Sequence, residues 1–176
     1  RSQTVTGVQT CALPISENRV FQMDRRMERV ENIRKDLDAM DSSHQTPHGP
    51  SEAEYGILTW GSNQGTVFEA VDRLNDDGYS VKALSVSDMM PYPVEEVEAF
   101  IESVDEVLVV EMNASAQFRG LTQKELGRYG EKLASLLKYN GNPFEPAEIV
   151  DGFVTTIVEN DTLPGTETKF VPAAGD

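Results

Sequence analysis

The chain has 176 residues, with 30 acidic and 15 basic side chains, a net charge of −15 and one cysteine. This length predicts one domain with a flanking segment. The negative charge argues against nucleic acid and anionic membranes as partners, and a lone cysteine excludes an internal disulfide or a CxxC metal site.

The excess negative charge lies entirely in residues 50–176, because residues 1–49 carry equal numbers of acidic and basic side chains. The acids occupy the polar positions of periodic segments, so we expect an acidic solvated surface on a folded domain. Only six lysines are present in the chain. This composition predicts a protein of a high-salt cytoplasm; an ordinary acidic protein is the alternative.

The first fifteen residues differ from the rest of the chain. The run VTGVQTCALPI, at residues 5–15, has no acidic residue and no clear period. It resembles the conceptual translation of a common sequencing adapter, so we expect residues 1–15 to be non-native sequence that includes Cys11. We then expect the natural chain to extend further upstream, which predicts a C-terminal fragment. A genuine flexible N-terminus is the alternative.

A helix follows this segment. Apolar residues from Val20 to Met40 recur in steps of three and four, which predicts an amphipathic helix over residues 16–41. Its polar face interleaves basic and acidic side chains, a pattern typical of a salt-bridged exposed face rather than a binding patch. The apolar stripe requires a partner surface.

Residues 42–53 are rich in Ser, Pro, Gly and His, which predicts a linker. His44 and His48 lie four residues apart in it, a spacing that would place both on one face of a helix. Pro47 prevents a regular helix across them. We therefore expect no metal site there.

From residue 54 onwards, strand-like and helix-like segments alternate. Gly78 can end one helix with a positive φ, and Pro93 can open the next, where its missing N–H is not needed. Repeated strand–helix units with short connections predict a doubly wound, mostly parallel α/β sheet over residues 54–160. Residues 161–176 are predicted to form a flexible tail. The predicted strands are Tyr55–Trp60, Tyr79–Val86, Glu106–Glu111 and Leu133–Tyr139, and helical patterns follow near Val67–Leu74, Val94–Val104, Gln117–Tyr129 and Pro146–Ile157.

The turn after the first predicted strand is one candidate binding site. It reads Gly61-Ser62-Asn63-Gln64-Gly65, and ligands of such folds bind where strands end and helices begin. The spacing matches neither G-x-G-x-x-G nor the P-loop, which needs a lysine after its second glycine. We therefore favour a tight corner in which Ser62 or Asn63 caps the helix, with nucleotide binding as the alternative.

The end of the third predicted strand is the other candidate. Glu111 and Asn113 place a carboxylate and an amide there, where they could bind a ligand or a partner loop. We favour the interpretation that they cap the following helix. No histidine is expected in the folded domain, which removes the commonest general base. We assign no catalytic residue and no metal ligand.

Four blocks of the sequence occur in the order and spacing of a known family. They are NRVFQMDRRMERVENI, the stretch from TWGSNQG to the MMPYP loop and its helix, VDEVLVVEMNASAQFRGL, and LLKYNGNPFEPAEIVDGF. Over about residues 18–153 they resemble the C-terminal part of the α subunit of 2-oxoacid:ferredoxin oxidoreductases. The 2-oxoglutarate type of salt-loving archaea looks most similar.

This resemblance implies a doubly wound domain akin to the transketolase C-terminal domain, preceded by a connector helix from an upstream thiamine-facing domain. The family's complete enzyme uses thiamine diphosphate, Mg²⁺ and an iron–sulfur cluster to convert a 2-oxoacid and coenzyme A to acyl-CoA while reducing ferredoxin. The implied partners are a thiamine-binding β subunit, the upstream domain and ferredoxin. We expect no nucleic acid or membrane partner and a cytoplasmic location.

The chain departs from the family pattern in informative ways. It has no GDG…N motif for a metal–diphosphate and no cluster cysteines, so we expect no cofactor bound by this chain alone and an inactive fragment. Ala116 stands where the family often has glycine. Two alternatives stay open: a stand-alone acidic Rossmann-like binding module, and the C-terminal domain of another thiamine-dependent enzyme.

Overall fold

The computed structural model describes residues 15–40, 45–159 and 168–172. The chain divides into two compact units, Arg1–Ser42 and Ser43–Asp176. Residues 1–15, which are predicted to be non-native, lie outside the described ranges except for Ile15. His44 also lies outside them.

The first unit is represented by one helix, α1 (Ile15–Asp38). It coincides closely with the predicted connector helix at residues 16–41. Its apolar stripe is exposed within the unit, with Val20, Met23 and Met27 all open to solvent. An ion pair between Lys35 and Glu31, one turn apart, lies on the polar side. Its role as a connector stays a prediction.

The second unit is a six-stranded sheet with helices on both faces. The strand order is β1-β3-β2-β4-β5-β6, and all neighbours are parallel except β1 and β3. The predicted doubly wound, mostly parallel α/β fold is confirmed. The elements are β1 (Thr46–His48), β2 (Tyr55–Trp60), α2 (Gln64–Asp76), β3 (Val81–Val86), α3 (Val94–Glu102), β4 (Glu106–Glu111), α4 (Gln117–Leu126), β5 (Leu133–Leu137), α5 (Pro146–Phe153) and β6 (Thr168–Phe170).

Alternating strand residues divide the core between the two faces of the sheet. Ile57 of β2 packs with α2 and α5 on one face, and its neighbour Leu58 packs with α3 and α4 on the other. The central strands are therefore apolar on both sides, as expected for a parallel sheet covered by helices. Gly152 lets α5 approach the sheet, since an added Cβ there would lie 2.6 Å from a methyl carbon of Leu136.

Both edges of the sheet differ from the sequence prediction. The linker prediction for residues 42–53 is wrong at β1, which pairs antiparallel with β3 through Thr46–Ser85 and His48–Ala83. The tail prediction for 161–176 is wrong at β6, which pairs parallel with β5; residues 161–167 and 173–176 lie outside the described part. A strand of three residues is too short to show a sequence period of its own. It forms because a neighbouring strand is available to pair with it.

The strand and helix ends also shift. The second predicted strand begins at Val81 rather than Tyr79, because residues 77–80 turn out of α2 with Gly78 at a φ of 93°. The fourth ends at Leu137 rather than Tyr139. The helix predicted to Tyr129 ends at Leu126, since Gly127 adopts a left-handed conformation and stops it.

Candidate functional site

The carboxyl ends of β2 and β4 meet at the point where the sheet reverses its winding. From β2 the chain passes through α2 on one face to β3, and from β4 it passes through α4 on the other face to β5. Loops that leave neighbouring strands toward opposite faces form the crevice in which doubly wound proteins usually bind ligands. Both sequence-predicted candidates, the Gly61–Gly65 turn and the Glu111–Asn113 strand end, lie at this edge.

Glu111 is fully buried, and its carboxylate anchors the helix that follows its own strand. One oxygen accepts the backbone N–H of Phe118 at 2.7 Å, and the other accepts that of Arg119 at 3.1 Å. The side-chain amide of Asn113 donates to the same carboxylate at 2.6 Å. A carboxylate in this position accepts hydrogen bonds from the free N–H groups at the start of α4. Its negative charge also interacts favourably with the positive end of the helix dipole. The predicted helix cap is confirmed, and whether the strand end binds a ligand stays a prediction.

The loop between β4 and α4 is held by its own polar groups. The side-chain oxygen of Asn113 accepts the backbone N–H groups of Ser115 and Gln117, at 3.0 and 3.3 Å. Ala116 has a left-handed conformation, with φ 49° and ψ 48°. That conformation suits glycine better than any residue with a Cβ, which gives a physical reason for glycine at this position in the family pattern.

The GSNQG turn forms a tight corner without the predicted cap. Gly61 has a φ of 65°, and residues Gly61–Asn63 form a 3-10 turn that runs directly into α2. Asn63 is buried and already has helical dihedrals, φ −73° and ψ −12°, so its side chain makes no cap hydrogen bond. The prediction that Asn63 caps α2 is therefore wrong. An N-cap residue caps from an extended backbone, which the 3-10 entry removes.

Two contacts tie α4 to its neighbours at this edge. The Trp60 ring at the end of β2 packs against Phe118, with ring centroids 6.4 Å apart. The hydroxyl groups of Tyr92 and Thr122 are hydrogen-bonded at 2.7 Å. Burial raises the pKa of Tyr92 to about 12, which keeps its hydroxyl neutral and able to donate. Burial also lowers the pKa of Arg119, while the negative charge of Glu111 opposes that effect.

An ion pair between a buried lysine and a partly exposed glutamate, at the end of β5, was missed by the sequence analysis. Lys138 is nearly inaccessible, and its ammonium group donates to both carboxylate oxygens of Glu148, at 2.7 and 2.6 Å, and to the carbonyl of Pro143 at 2.8 Å. Glu148 also accepts the backbone N–H of Glu145 at 2.7 Å in a capping box at the start of α5. The pair fixes the NGNPFEP segment to the sheet. The available signal was a lysine at the end of an apolar strand, ten residues before an acid in a proline-started helix.

His48 lies in the folded unit, contrary to the expectation of a domain without histidine. Its ring stacks on Phe68 with centroids 4.4 Å apart, and its Nε2 lies 2.7 Å from Oδ1 of Asp72 on α2. These contacts attach the edge strand β1 to the helix beside it. His48 pairs with Ala83 in the middle of β3, and β3 separates it from β2.

The described residues offer no donor set for a metal or a cluster. Within residues 15–40, 45–159 and 168–172, no group of three or more His, Cys, Asp or Glu side chains lies close enough to hold a metal ion. Iron–sulfur clusters are held mainly by cysteine thiolates, and these ranges contain no cysteine, so the described residues do not fit a cluster. In the same ranges, no helix has the length and apolar character needed to cross a membrane.

Exposed apolar side chains lie at, or a few residues beyond, the carboxyl ends of five neighbouring parallel strands. We call these residues the carboxyl-edge row: in strand order from β3 to β6 they are Met90, Trp60, Met112, Tyr139 and Phe170. Tyr139 and Phe170 pack edge to face, with centroids 5.6 Å apart. Strands are spaced about 4.8 Å apart, so the five strands followed by these residues span roughly 20 Å.

The family model described as pyruvate:ferredoxin oxidoreductase core domain II matches residues 53–149, more than half of the chain. The chain belongs to this family of domains.

The curated relatives include a subunit alpha of a 2-oxoacid:ferredoxin oxidoreductase and a subunit of a ketoisovalerate oxidoreductase. 2-Oxoacid:ferredoxin oxidoreductase 2 subunit alpha of Aeropyrum pernix is 28% identical over 140 residues, which cover 80% of this chain and 21% of that subunit. Ketoisovalerate oxidoreductase subunit VorA of Pyrococcus furiosus is 34% identical over 89 residues, 49% of this chain and 23% of that subunit. The chain thus spans about a fifth of the length of these relatives.

A solved structure agrees with this assignment. The 2-oxoglutarate:ferredoxin oxidoreductase from Magnetococcus marinus, with 2-oxoglutarate, coenzyme A and succinyl-CoA bound, superposes with a TM-score of 0.66 at 29% identity. The match covers 79% of this chain and 23% of that chain. The resemblance to 2-oxoacid:ferredoxin oxidoreductases is confirmed at the level of the family; the haloarchaeal source and the adapter origin of residues 1–15 stay predictions.

Proposed function

We propose that this chain contributes core domain II to the α subunit of a 2-oxoacid:ferredoxin oxidoreductase, and that its contribution is architecture and contact surface. The observation that carries the proposal is the use of polar groups at the carboxyl edge. Glu111 caps α4 and Lys138 pairs with Glu148. At the edge where other doubly wound folds bind a ligand, these charged side chains of the domain bind to its own helices.

The reaction of the complex would then take place on groups held outside this domain. The bond between the carboxylate and the carbonyl carbon of a 2-oxoacid breaks and CO₂ leaves. The acyl group forms a thioester with coenzyme A, whose thiol proton is released, and two electrons pass through an iron–sulfur cluster to ferredoxin. Thiamine diphosphate with Mg²⁺ supplies the chemistry for carbon–carbon cleavage. We assign these groups to a β subunit and to other parts of the α subunit.

We propose 2-oxoglutarate as the substrate and the cytoplasm as the compartment. Support for the substrate comes from the Magnetococcus marinus enzyme, whose structure carries 2-oxoglutarate and succinyl-CoA. The acidic composition, with a net charge of −15, supports a cytoplasm of high salt concentration. Pyruvate and branched-chain 2-oxoacids are the competing substrates, since relatives acting on ketoisovalerate also match.

The test is purification of the tagged chain from its source cells under native conditions. We expect it to co-purify with other oxidoreductase polypeptides, and the preparation to reduce ferredoxin in the presence of 2-oxoglutarate and coenzyme A. Parallel assays with pyruvate and 2-oxoisovalerate determine the substrate. Recovery of the chain alone, without 2-oxoacid-dependent reduction of ferredoxin, would overturn the proposal.

A further inference from the structure

Charged residues are distributed unequally between the two ends of the sheet. Residues 61–63, 87–93, 112–116 and 138–145 connect the carboxyl ends of β2, β3, β4 and β5 to the helices that follow. The connections at the opposite, amino end are residues 49–54, 77–80, 103–105 and 127–132. The carboxyl-end connections hold three charged residues, Asp88, Lys138 and Glu145, whereas the shorter amino-end connections hold seven: Glu52, Glu54, Asp77, Asp105, Arg128, Glu131 and Lys132.

The carboxyl end is also rich in side chains that favour protein interfaces. Lys138 is buried in its ion pair, so Asp88 and Glu145 are the charges that remain accessible on these connections. The carboxyl-edge row adds two methionines and three aromatic rings to these sparsely charged connections. Interface centres are depleted in charge and enriched in Met and aromatic residues. In a chain that is 26% charged, such an edge is unlike the solvated remainder.

The surface beneath the row is held rigidly before any partner arrives. Glu111 fixes the start of α4 to β4, and Tyr92 fixes the loop after β3 to Thr122 of α4. Lys138 holds the segment after β5 through Glu148. A surface that is already ordered loses little conformational entropy on association.

We propose that the carboxyl-edge row is the face on which this domain docks against the remaining part of the α subunit. The inference rests on the proposed function. The docking partner is inferred from the length of the relatives. In them this domain is about a fifth of a longer polypeptide, and the rest of that polypeptide must contact the domain somewhere.

The test compares single substitutions at two residues whose side chains are almost equally exposed to solvent. Met112 in the row is 39% exposed and Val158, outside it, is 40% exposed. Met112→Glu places an unpaired charge inside the docked face, which is costly once water is excluded, whereas Val158→Glu places the same charge on open surface. Each tagged variant and the wild-type chain are expressed in source cells whose own α subunit has had this domain deleted, which leaves the docking face of the remaining polypeptide free, and each is then purified. Thermal melting of the isolated chains verifies that both variants fold.

We expect Met112→Glu to reduce the yield of co-purified α-subunit polypeptide at least about tenfold, and Val158→Glu to leave it unchanged, a contrast of about 1.4 kcal/mol or more in binding. Methionine oxidation by peroxide gives an independent measurement, because Met90 and Met112 are exposed in the free domain. Both are expected to oxidise at least about tenfold more slowly in the complex.

The outcomes separate the two proposals. If wild-type chain recovers the active complex and Met112→Glu recovers it equally well, with Met112 oxidised at the free rate, the docking face is wrong and the proposed function stands. If isolated wild-type chain sediments as a dimer that Met112→Glu dissociates, the occupant is a second copy and the docking proposal is overturned. If wild-type chain recovers no oxidoreductase polypeptide, both proposals fall.

Discussion

The backbone N–H of Phe118 donates to the carboxylate of Glu111 across 2.7 Å, which joins the first turn of α4 to the end of β4. The two residues lie seven positions apart, with a loop between them that contains one left-handed residue. The buried carboxylate thus serves the helix that begins beside it. This relationship explains why an acid at a strand end, which could have marked a ligand site, acts as part of the fold.

Replacement of Glu111 by glutamine should lower the free energy of unfolding by about 2 kcal/mol. The amide keeps one acceptor but loses the charge that strengthens the bonds to Phe118 and Arg119. Urea unfolding of the purified chain measures the change. The control is Glu69→Gln, which removes an exposed pair with Arg73 and should cost about 0.5 kcal/mol or less. Equal effects of the two substitutions would contradict the anchoring role.

The pair between Lys138 and Glu148 predicts a coupled response. Lys138→Met leaves the Glu148 carboxylate without its partner and should destabilise the fold by about 2–3 kcal/mol, below the usual range for a fully buried pair because Glu148 is partly exposed. Glu148→Gln keeps a capping-box side chain but removes the charge. The double variant should therefore be less destabilised than the sum of the single variants by about 1–2 kcal/mol. Simple additivity in denaturant unfolding would argue against a coupled pair.

Ala116→Gly should stabilise the chain, a rare result for a glycine substitution. Ala116 has a φ of 49°, and an L-residue in that conformation costs about 1–2 kcal/mol. The greater flexibility of glycine in the unfolded chain offsets part of this gain, so we expect a net increase of up to about 1 kcal/mol in the free energy of unfolding. Ala114→Gly, in the same loop without a positive φ, should lower it. A loss of stability in Ala116→Gly would show that the loop relaxes out of the left-handed conformation.

Much of the fold could be predicted because its central strands and helices carry clear periods. Ile57 and Leu58 face opposite cores, as an apolar run in a covered parallel sheet requires. The edge strands could not be predicted this way. Pro47 and His48 form a strand because β3 is available to pair with them and Phe68 receives the imidazole ring.

The sequence predicted where the candidate site residues lie in the fold, but not what each side chain does there. Strand-end reasoning brought Gly61 and Glu111 to one edge, where the structure has them. The use of Lys138 could not be derived from sequence, because a lysine after a strand usually reaches solvent, and its partner Glu148 depends on how α5 packs. The missing cap at Asn63 likewise depends on a 3-10 entry that neither propensity nor spacing specifies.

The acidic surface predicts stability that depends on salt. A net charge of −15 repels itself over a Debye length of about 30 Å in dilute buffer and about 3 Å in molar salt. We expect the melting temperature to rise by roughly 5 °C or more between 0.01 M and 1 M KCl, which corresponds to about 2 kcal/mol. An unchanged melting temperature would contradict adaptation to a high-salt cytoplasm.

The central claim is that this domain supplies contact surface and holds no ligand of its own at the carboxyl edge. Isothermal titration of coenzyme A, ATP and NAD into the purified 176-residue chain tests it most directly. The account predicts no saturable heat with any of the three at concentrations up to roughly 1 mM, equivalent to less than about 4 kcal/mol of binding free energy. Saturable binding in the micromolar range, abolished by a substitution in the Gly61–Gly65 turn, would contradict it and make the domain a binding module.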